Sequence, residues 1–491
     1  MYLGIDVGTS GCKALVADET GKVYKKAYRP YSVVSPQNGW LELDAERVFG
    51  QITECLRECC REQTIGSRIE AIAVSSQGEA VIPVSEDGCP LANAIVTFDT
   101  RNQMECARFV QTVDVSEVGR VTGAPVHPMF SLTKIMWFQN NRPEIYKKTQ
   151  KFLCFGDFVS MRLGAEPCID YTMAARTMAF DIREMEWSKK ILSAAGVSSS
   201  KLPNAVLSGT IIGQISARMA AETGISENAL IVAGAHDQIC CALGAGVTGP
   251  GVAMDSLGTT ESILCVGETA VSSENLLKNA IPCYPYAISG RYAFLTFLSC
   301  CGSVLQWLGT DIAGGKRSFR EMDEACATLP RPSGLFVLPH FAGSGTPYLD
   351  CTSKGVIAGL TLSTKPEEIH LAIMESTAFE MRINIEIMES AGIAIQEYRS
   401  IGGGSKSEIW MRIKADITGK PMTVMETEES GCMGACMLAA KGKHDIDLSV
   451  LAGEITKVKK VYMPDAEAHA RYNGRFEEYG KLYPLMKKIC V

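Results

Sequence analysis

At 491 residues the chain is too long for one hydrophobic core and predicts two or three domains. A hydrophobic content of 46% and a charged content of 21% are ordinary for a globular protein. A net charge of −7, with no basic stripe among aromatics, argues against a nucleic-acid partner. The N-terminus has no basic flank and no apolar signal core, which predicts a cytoplasmic protein. Tyr292–Gly309 is uncharged and nearly long enough to span a bilayer. Its Thr296, Ser299, Gly302, Ser303 and Gln306 instead predict a buried strand, a turn at Cys300–Ser303 and a helix, so no membrane partner is expected. The 19 cysteines are odd in number and lack metal-ligand spacing, so they read as reduced thiols packed as small hydrophobes.

In chain order, Tyr2–Lys13 predicts two strands joined at Gly8-Thr9-Ser10-Gly11, where glycines permit positive φ and leave backbone N–H groups uncovered. Such a turn can receive phosphate oxygens, with Thr9, Ser10 and Lys13 adding donors. Asp6, at the strand end, is placed to hold a hydrated Mg²⁺. A third strand is expected at Lys22–Tyr28, then Asp44 capping a helix whose Val48, Phe49, Ile52, Cys55, Leu56 and Cys59 recur at helical spacing. Arg68–Ser75 and Ala94–Phe98 read as strands. They end in Ser75-Ser76-Gln77-Gly78-Glu79 and Asp99-Thr100-Arg101, and polar clusters past buried strands are where α/β sheets place ligands.

The middle of the chain mixes helix and loop, with helix expected at Ile135–Gln139. Leu230–Gly234 is a strand that delivers His236-Asp237-Gln238 to a helix at Ile239–Gly246. Asp237 can accept the proton of a substrate hydroxyl as that oxygen attacks a γ-phosphate. An Asp directly before a helix is also simply a capping residue, so both readings stand at this point. Thr248-Gly249-Pro250 punctuates the chain and marks a domain boundary, giving domains 1–247 and 248–491.

The second half restarts the plan. Met254–Leu257 and Ser262–Val266 flank Gly258-Thr259-Thr260, a second acid–Gly–Thr turn after Asp255. Pro366–Ala391 predicts one long helix capped by Thr364 and ended by Gly392. Arg399–Ile401 runs into Gly402-Gly403-Gly404-Ser405, with a helix from about Glu408 to Ile417 behind it. Glycines before a helix N-terminus suit phosphate or adenosine. Two phosphate turns, one per half, predict two similar domains facing each other across a nucleotide.

Longer motifs carry a resemblance. Met129-Phe130-Ser131-Leu132-Thr133-Lys134-Ile135-Met136-Trp137 resembles the first signature of the FGGY family of carbohydrate kinases. Gly355-Val356-Ile357-Ala358-Gly359-Leu360, with Ile369-His370, Ala372, Glu375 and Phe379-Glu380, resembles the second. Gly39-Trp40-Leu41-Glu42, Gly402–Ser405 with Trp410, and Ala415-Asp416-Ile417 are similar to the family as well, so the likeness runs from Met1 to about Lys443.

The resemblance implies an α/β fold of two actin-like, ribonuclease-H-like domains, with ATP and a small sugar meeting in the cleft. The last helices are expected to be able to pack back on the first domain. Asp237 would be the catalytic base, and it and Asp6 (through water) would hold Mg²⁺. Gly8, Thr9, Ser10 and Lys13 would line one phosphate turn, and Gly258, Thr259 and Thr260 the other. Gly302, Gln306, Gly403, Gly404 and Ser407 would contact the rest of ATP. Gln77, Gly78, Glu79, Asp99, Met129 and Gln238 fall where relatives hold substrate. Since dimers are common in the family, a homodimer is among the expected assemblies.

The chain also departs from the family. Glycerol kinases carry an Arg-Glu pair at Gly78-Glu79, a Trp at Thr97 and a Tyr at Met129. Without that guanidinium and those aromatic walls, glycerol is disfavoured. The Met-His pair usual in xylulokinases is absent too, which leaves a ketose such as a pentulose, or a polyol. Two alternatives share the turns: an actin-like nucleotide-binding module without sugar chemistry, and a catalytically silent sugar-binding regulator. A dehydrogenase would need a GxGxxG fingerprint opening a helix, and none is present.

Overall fold

A computed structural model describes all residues except Lys316, Glu428, Cys490 and Val491. Its frame is two β-sheets of matching topology. The strands of the first are β1 (Tyr2–Val7), β2 (Gly11–Ala17), β3 (Val23–Pro30), β4 (Ala71–Ser76), β5 (Ile211–Gln214) and β6 (Leu230–His236). They lie in the order β5-β6-β4-β1-β2-β3. β1, β2 and β3 form an antiparallel meander, β4 pairs parallel with β1 and with β6, and β5 closes the edge antiparallel.

The second sheet contains β7 (Gly251–Leu257), β8 (Glu261–Gly267), β9 (Cys283–Pro285), β10 (Tyr292–Leu298), β11 (Ile395–Ile401), β12 (Met422–Met425) and β13 (Val458–Tyr462). Their order is β9-β10-β8-β7-β11-β12-β13. Again an antiparallel meander (β7, β8, β10) is followed by two parallel strands (β11, β12) and an antiparallel edge. The plan is therefore duplicated, and in each copy the first hairpin carries an acid–Gly–Thr turn.

Helix α1 (Ala45–Cys59) is capped by Asp44, which accepts from the Arg47 N–H, and buries its Val48, Ile52 and Leu56 stripe against β2 and β3. Helix α2 (Ser131–Asn141) carries the first signature, and α3 (Asp237–Gly244) follows β6 without a break. In the second half come α4 (Gly302–Trp307), α5 (Pro366–Ser390), α6 (Glu408–Thr418) and α7 (Ser430–His444), then α8 (Ala466–Tyr479) and α9 (Leu482–Met486).

Helix α7 leaves the second sheet after β12 and packs on β1, β4 and α3 of the first. Close backbone approach makes this possible: a Cβ on Gly4 would lie 2.0 Å from the Cys432 carbonyl, and one on Gly434 2.0 Å from that of Cys240. The next helix, Leu448–Ile455, still touches the first half, Ile455 lying against Gly21, whereas α8 packs on the second. Tyr472 and Tyr479 of α8 donate to Glu375 and Glu380 of α5 at 2.7 Å each.

The uncharged segment resolves as expected, β10 then α4 with a turn at Cys300–Cys301. No helix among the described residues is long and apolar enough to cross a membrane. The described cysteines are free thiols, most of them buried.

Two local expectations fail. The strand near Ala94 covers only Ala94–Ile95 and leaves Phe98 exposed, because its partner Glu42–Leu43 is two residues long. The cap of α5 is Lys365, not Thr364, whose hydroxyl instead accepts from the Thr361 N–H inside the preceding turn.

Candidate active site

The first cluster forms where β1, β4 and β6 end. Ser75 on β4 sits beside Asp6 in the parallel register and donates to its Oδ1 at 2.7 Å. Helix α7 begins here: a Cβ on Gly431 would lie 3.2 Å from the Asp6 carboxyl group, so the helix N-terminus abuts that charge. In the first turn Gly8 N–H donates to the Gly11 carbonyl at 3.0 Å. Gln77 braces the turn, donating to the Gly8 carbonyl at 3.1 Å and accepting from Thr9 at 3.0 Å. Lys13 does not stand free beside the turn but pairs with Glu429, from the loop before α7, at 2.6 Å.

Asp237 is the first residue of α3. His236 holds the capping position without a side-chain cap bond, so Asp237 is not the cap. Its carboxyl is pushed up to about 7, mainly by burial and then by the charge of Asp6; Arg176 and Gln238 act in the opposite direction. His236 Nε2 lies 3.3 Å from Asp237 Oδ1, and burial holds this ring well below the usual histidine range, hence neutral.

Gly78 lacks a side chain where one would be crowded. A Cβ there would meet the His236 ring at 3.0 Å and Arg176 Nε at 3.1 Å. Glu79 next to it adopts φ +62°, a left-handed conformation costly for a non-glycine residue. Several bonds hold it there. Ser131 and the buried Lys134 donate to its carbonyl, at 3.2 and 3.0 Å, and Thr97 donates to Oε2 at 3.0 Å. Arg176 pairs with Oε1. Lys134 also donates to the Met129 carbonyl at 2.7 Å, so the first signature's lysine ties two expected substrate-site residues together. Asp99 is held within the fold: Arg101 grips its carboxylate from both edges and Leu41 N–H donates at 2.6 Å. Arg101 in turn stacks 3.8 Å over Trp40, so Asp99 anchors the Gly39–Glu42 loop.

The second cluster surrounds the turn after β7. Cys301 N–H donates to the Thr259 carbonyl and Gly302 N–H to that of Gly258, each at 3.0 Å, which seats α4 against the turn. Gly258, Thr259, Gly302, Gln306, Gly403, Gly404 and Ser407 all line one cavity of about 900 Å³, walled further by Trp410. Gly402, at φ +88°, needs to be glycine, since a Cβ would lie 2.3 Å from the Leu257 carbonyl. Ser407 caps α6 by accepting from Trp410 N–H. Beneath the turn Lys414, fully buried, donates to Asp255 at 3.2 Å and Glu261 at 2.5 Å.

The duplication extends to single residues. Asp6 faces Ser75 across β1 and β4, and Asp255 faces Ser400 across β7 and β11. In the second copy a lysine neutralises the acid. In the first, Asp6 and Asp237 remain as two carboxylates with no lysine bonded to either. Among the described residues no group of three or more His, Cys, Asp or Glu side chains can hold a metal by itself. Two carboxylates completed by water suit Mg²⁺.

Sequence reading missed Glu429, Arg176, Glu261 and Lys414. Only Lys414 left a signal, four residues after Trp410 on the buried stripe of α6; the others lie far along the chain from their partners.

The FGGY family of carbohydrate kinases, N-terminal domain, matches residues 1–244, and its C-terminal domain matches residues 253–442. The chain belongs to the FGGY family of carbohydrate kinases. It is 28% identical to the xylulose kinase of Bacillus subtilis (strain 168), over 99% of this chain and 97% of the relative. It is 27% identical to the gluconokinase of the same strain, over 90% and 88%. A crystal structure of a xyloylose kinase from Brucella ovis superposes with a TM-score of 0.92 at 25% identity, covering 99% of both chains. Ligand-bound xylulose kinase from Lactobacillus acidophilus shares the fold, with a TM-score of 0.91 at 24% identity over 99% of this chain and 98% of that one.

Proposed function

We propose that the protein transfers the γ-phosphoryl group of ATP to one hydroxyl of a small polyhydroxy substrate, a ketose of pentulose size being favoured. Asp237 is the general base. Its carboxylate takes the hydroxyl proton, the hydroxyl oxygen bonds to the γ-phosphorus, and the bond to the β-phosphate oxygen breaks, leaving ADP. Asp6 and Asp237 would hold Mg²⁺, which when bound neutralises charge on the phosphate oxygens. The turns Gly8–Ser10 and Gly258–Thr260 supply N–H and hydroxyl donors to the phosphates, and the cavity between Gly302 and Ser407 takes the nucleoside. Residues 1–247 act as the sugar-binding unit and 248–491 as the nucleotide-binding unit, with α7 coupling them.

The observation that carries this reading is Asp237: a carboxyl raised to about 7, beside a second carboxylate, at the end of a buried strand. Burial gives it the basicity a proton acceptor needs near neutral pH. The xylulose kinases among the relatives support a ketose acceptor. The test is a coupled ADP-release assay over tetruloses, pentuloses, hexuloses and polyols. One sugar should stimulate ADP release strongly, and Asp237→Asn should lower kcat by about 1,000-fold while ATP still binds. Unchanged turnover in that variant removes Asp237 from the role.

A further inference from the structure

The relatives phosphorylate substrates of two electrical kinds, a neutral ketose and a sugar acid, and this chain's own residues distinguish between them. Arg176 follows a short helix, Tyr171–Ala175, and its side chain is only 8% exposed. One terminal nitrogen donates to Tyr284 at 2.7 Å and the other forms an ion pair with Glu79 Oε1, while Nε and Glu79 Oε1 are both buried without a hydrogen bond. Nε lies 3.1 Å from the point where Gly78 would carry a Cβ, a point that is also 3.0 Å from His236, the neighbour of Asp237. Gln238 Oε1, on the other side of Asp237 in the chain, is also buried and unpartnered. Buried polar atoms are almost always satisfied, so an orphaned donor and an orphaned acceptor flanking one aspartate point to a ligand that completes both. A hydroxyl group at this point does so, accepting from Nε and donating to Gln238 Oε1, whereas a carboxylate placed here accepts only.

Charge points the same way. Asp6, Glu79 and Asp237 bring three carboxyl groups to this region; Arg176, whose charge acts on Asp237, is already paired with Glu79, and Lys13, whose charge acts on Asp6, is paired with Glu429. Lys134 is spent on two carbonyls.

Resting on the kinase reading above, we infer that the substrate is uncharged and that Arg176 is a specificity-determining residue. With Gln238 it binds a hydroxyl close to the one that is phosphorylated, and with Glu79 it rejects sugar acids.

The test compares neutral pentuloses and hexuloses with five- and six-carbon aldonates, and includes deoxy analogues of the best substrate. It uses the wild-type chain, Arg176→Met and Arg176→Lys. The neutral compounds should exceed every aldonate in kcat/KM by at least 100-fold. Arg176→Met should raise the KM of the sugar tenfold or more and leave the KM of ATP within twofold, which shows an intact nucleotide site. It should also move the acid limb of kcat/KM to higher pH, because a cation that favours the Asp237 carboxylate is gone. One deoxy analogue should lose activity on the wild type and lose nothing further on Arg176→Met. An aldonate turned over as well as the best neutral compound overturns the inference and leaves the kinase reading standing. So does an Arg176→Met enzyme with unaltered sugar KM and pH profile. If no compound of either kind stimulates ADP release or shifts the melting temperature, the kinase reading fails and takes the inference with it.

Discussion

The placement of Asp237 bears on stability and, through its proposed role as the base, on activity. Its carboxyl is raised from 3.8 to about 7, so the folded state holds a proton there that the unfolded chain has already lost. At pH 4 and below both states are protonated and the site costs nothing. Between pH 4 and 7 the cost of the buried carboxylate grows, and above 7 it is present in full. Asp237→Asn should therefore melt a few degrees above the wild type at pH 8, with the difference shrinking toward pH 4 in thermal unfolding. The same titration predicts that wild-type kcat/KM falls on the acid side of about pH 7. Lys414 presents the opposite balance. Removing it as Lys414→Met leaves Asp255 and Glu261 buried without their cation, which should destabilise the fold by about 3–5 kcal/mol in denaturant titration. Because Asp255 and Glu261 flank the second turn, the KM of ATP should rise more than that of the sugar.

At the scale of elements, glycines decide how closely backbones meet. Helix α7 rests on α3 through Gly434, where a Cβ would lie 2.0 Å from the Cys240 carbonyl. Gly434→Ala must push the helices apart, and α3 begins with Asp237. A displacement of about 1 Å at a reacting group costs on the order of 100-fold in rate. Gly434→Ala should lose about that much kcat while circular dichroism reports a folded chain. Gly402→Ala acts elsewhere. It forces an alanine to φ +88° and into the Leu257 carbonyl, displacing the Gly402–Ser405 loop. The expected result is a tenfold rise in the KM of ATP with the sugar KM unchanged. These elements were largely legible in the sequence, because hairpin turns, the Asp44 cap and the Gly392 stop are local signals. The α5 cap fell one residue away because Lys365 and Thr364 both precede Pro366, and which one enters the helix depends on the turn behind it. The strand at Ala94 was overestimated because an apolar run does not reveal how short its partner is.

For the whole molecule, the arrangement is two copies of one sheet plan with α7 and the Lys13–Glu429 pair crossing between them. In the proposed reaction the phosphate donors lie on both copies, while the base and the substrate residues lie on the first. We expect the two halves to close over sugar and nucleotide and expel water, since an open site would lose phosphate to hydrolysis. Small-angle scattering should show a smaller radius of gyration with sugar and a non-hydrolysable nucleotide together than with either alone. ATP hydrolysis without sugar should be slow. An unchanged radius in the ternary complex would rule out closure.

The sequence by itself determined the duplicated hairpins, the two acid–Gly–Thr turns, the strand that leads into Asp237 and the family signatures. Each is written in residues adjacent along the chain, where glycine conformation and strand alternation act locally. Only the tertiary structure decided that Lys13 belongs to Glu429, 416 residues away, that Arg176 grips Glu79, and that Lys414 neutralises Asp255 and Glu261. It also decided that Asp99 serves Arg101. Each ion takes the partner that the fold brings to it, buried as for Lys414 or partly exposed as for Lys13, and a linear pattern carries no record of that choice.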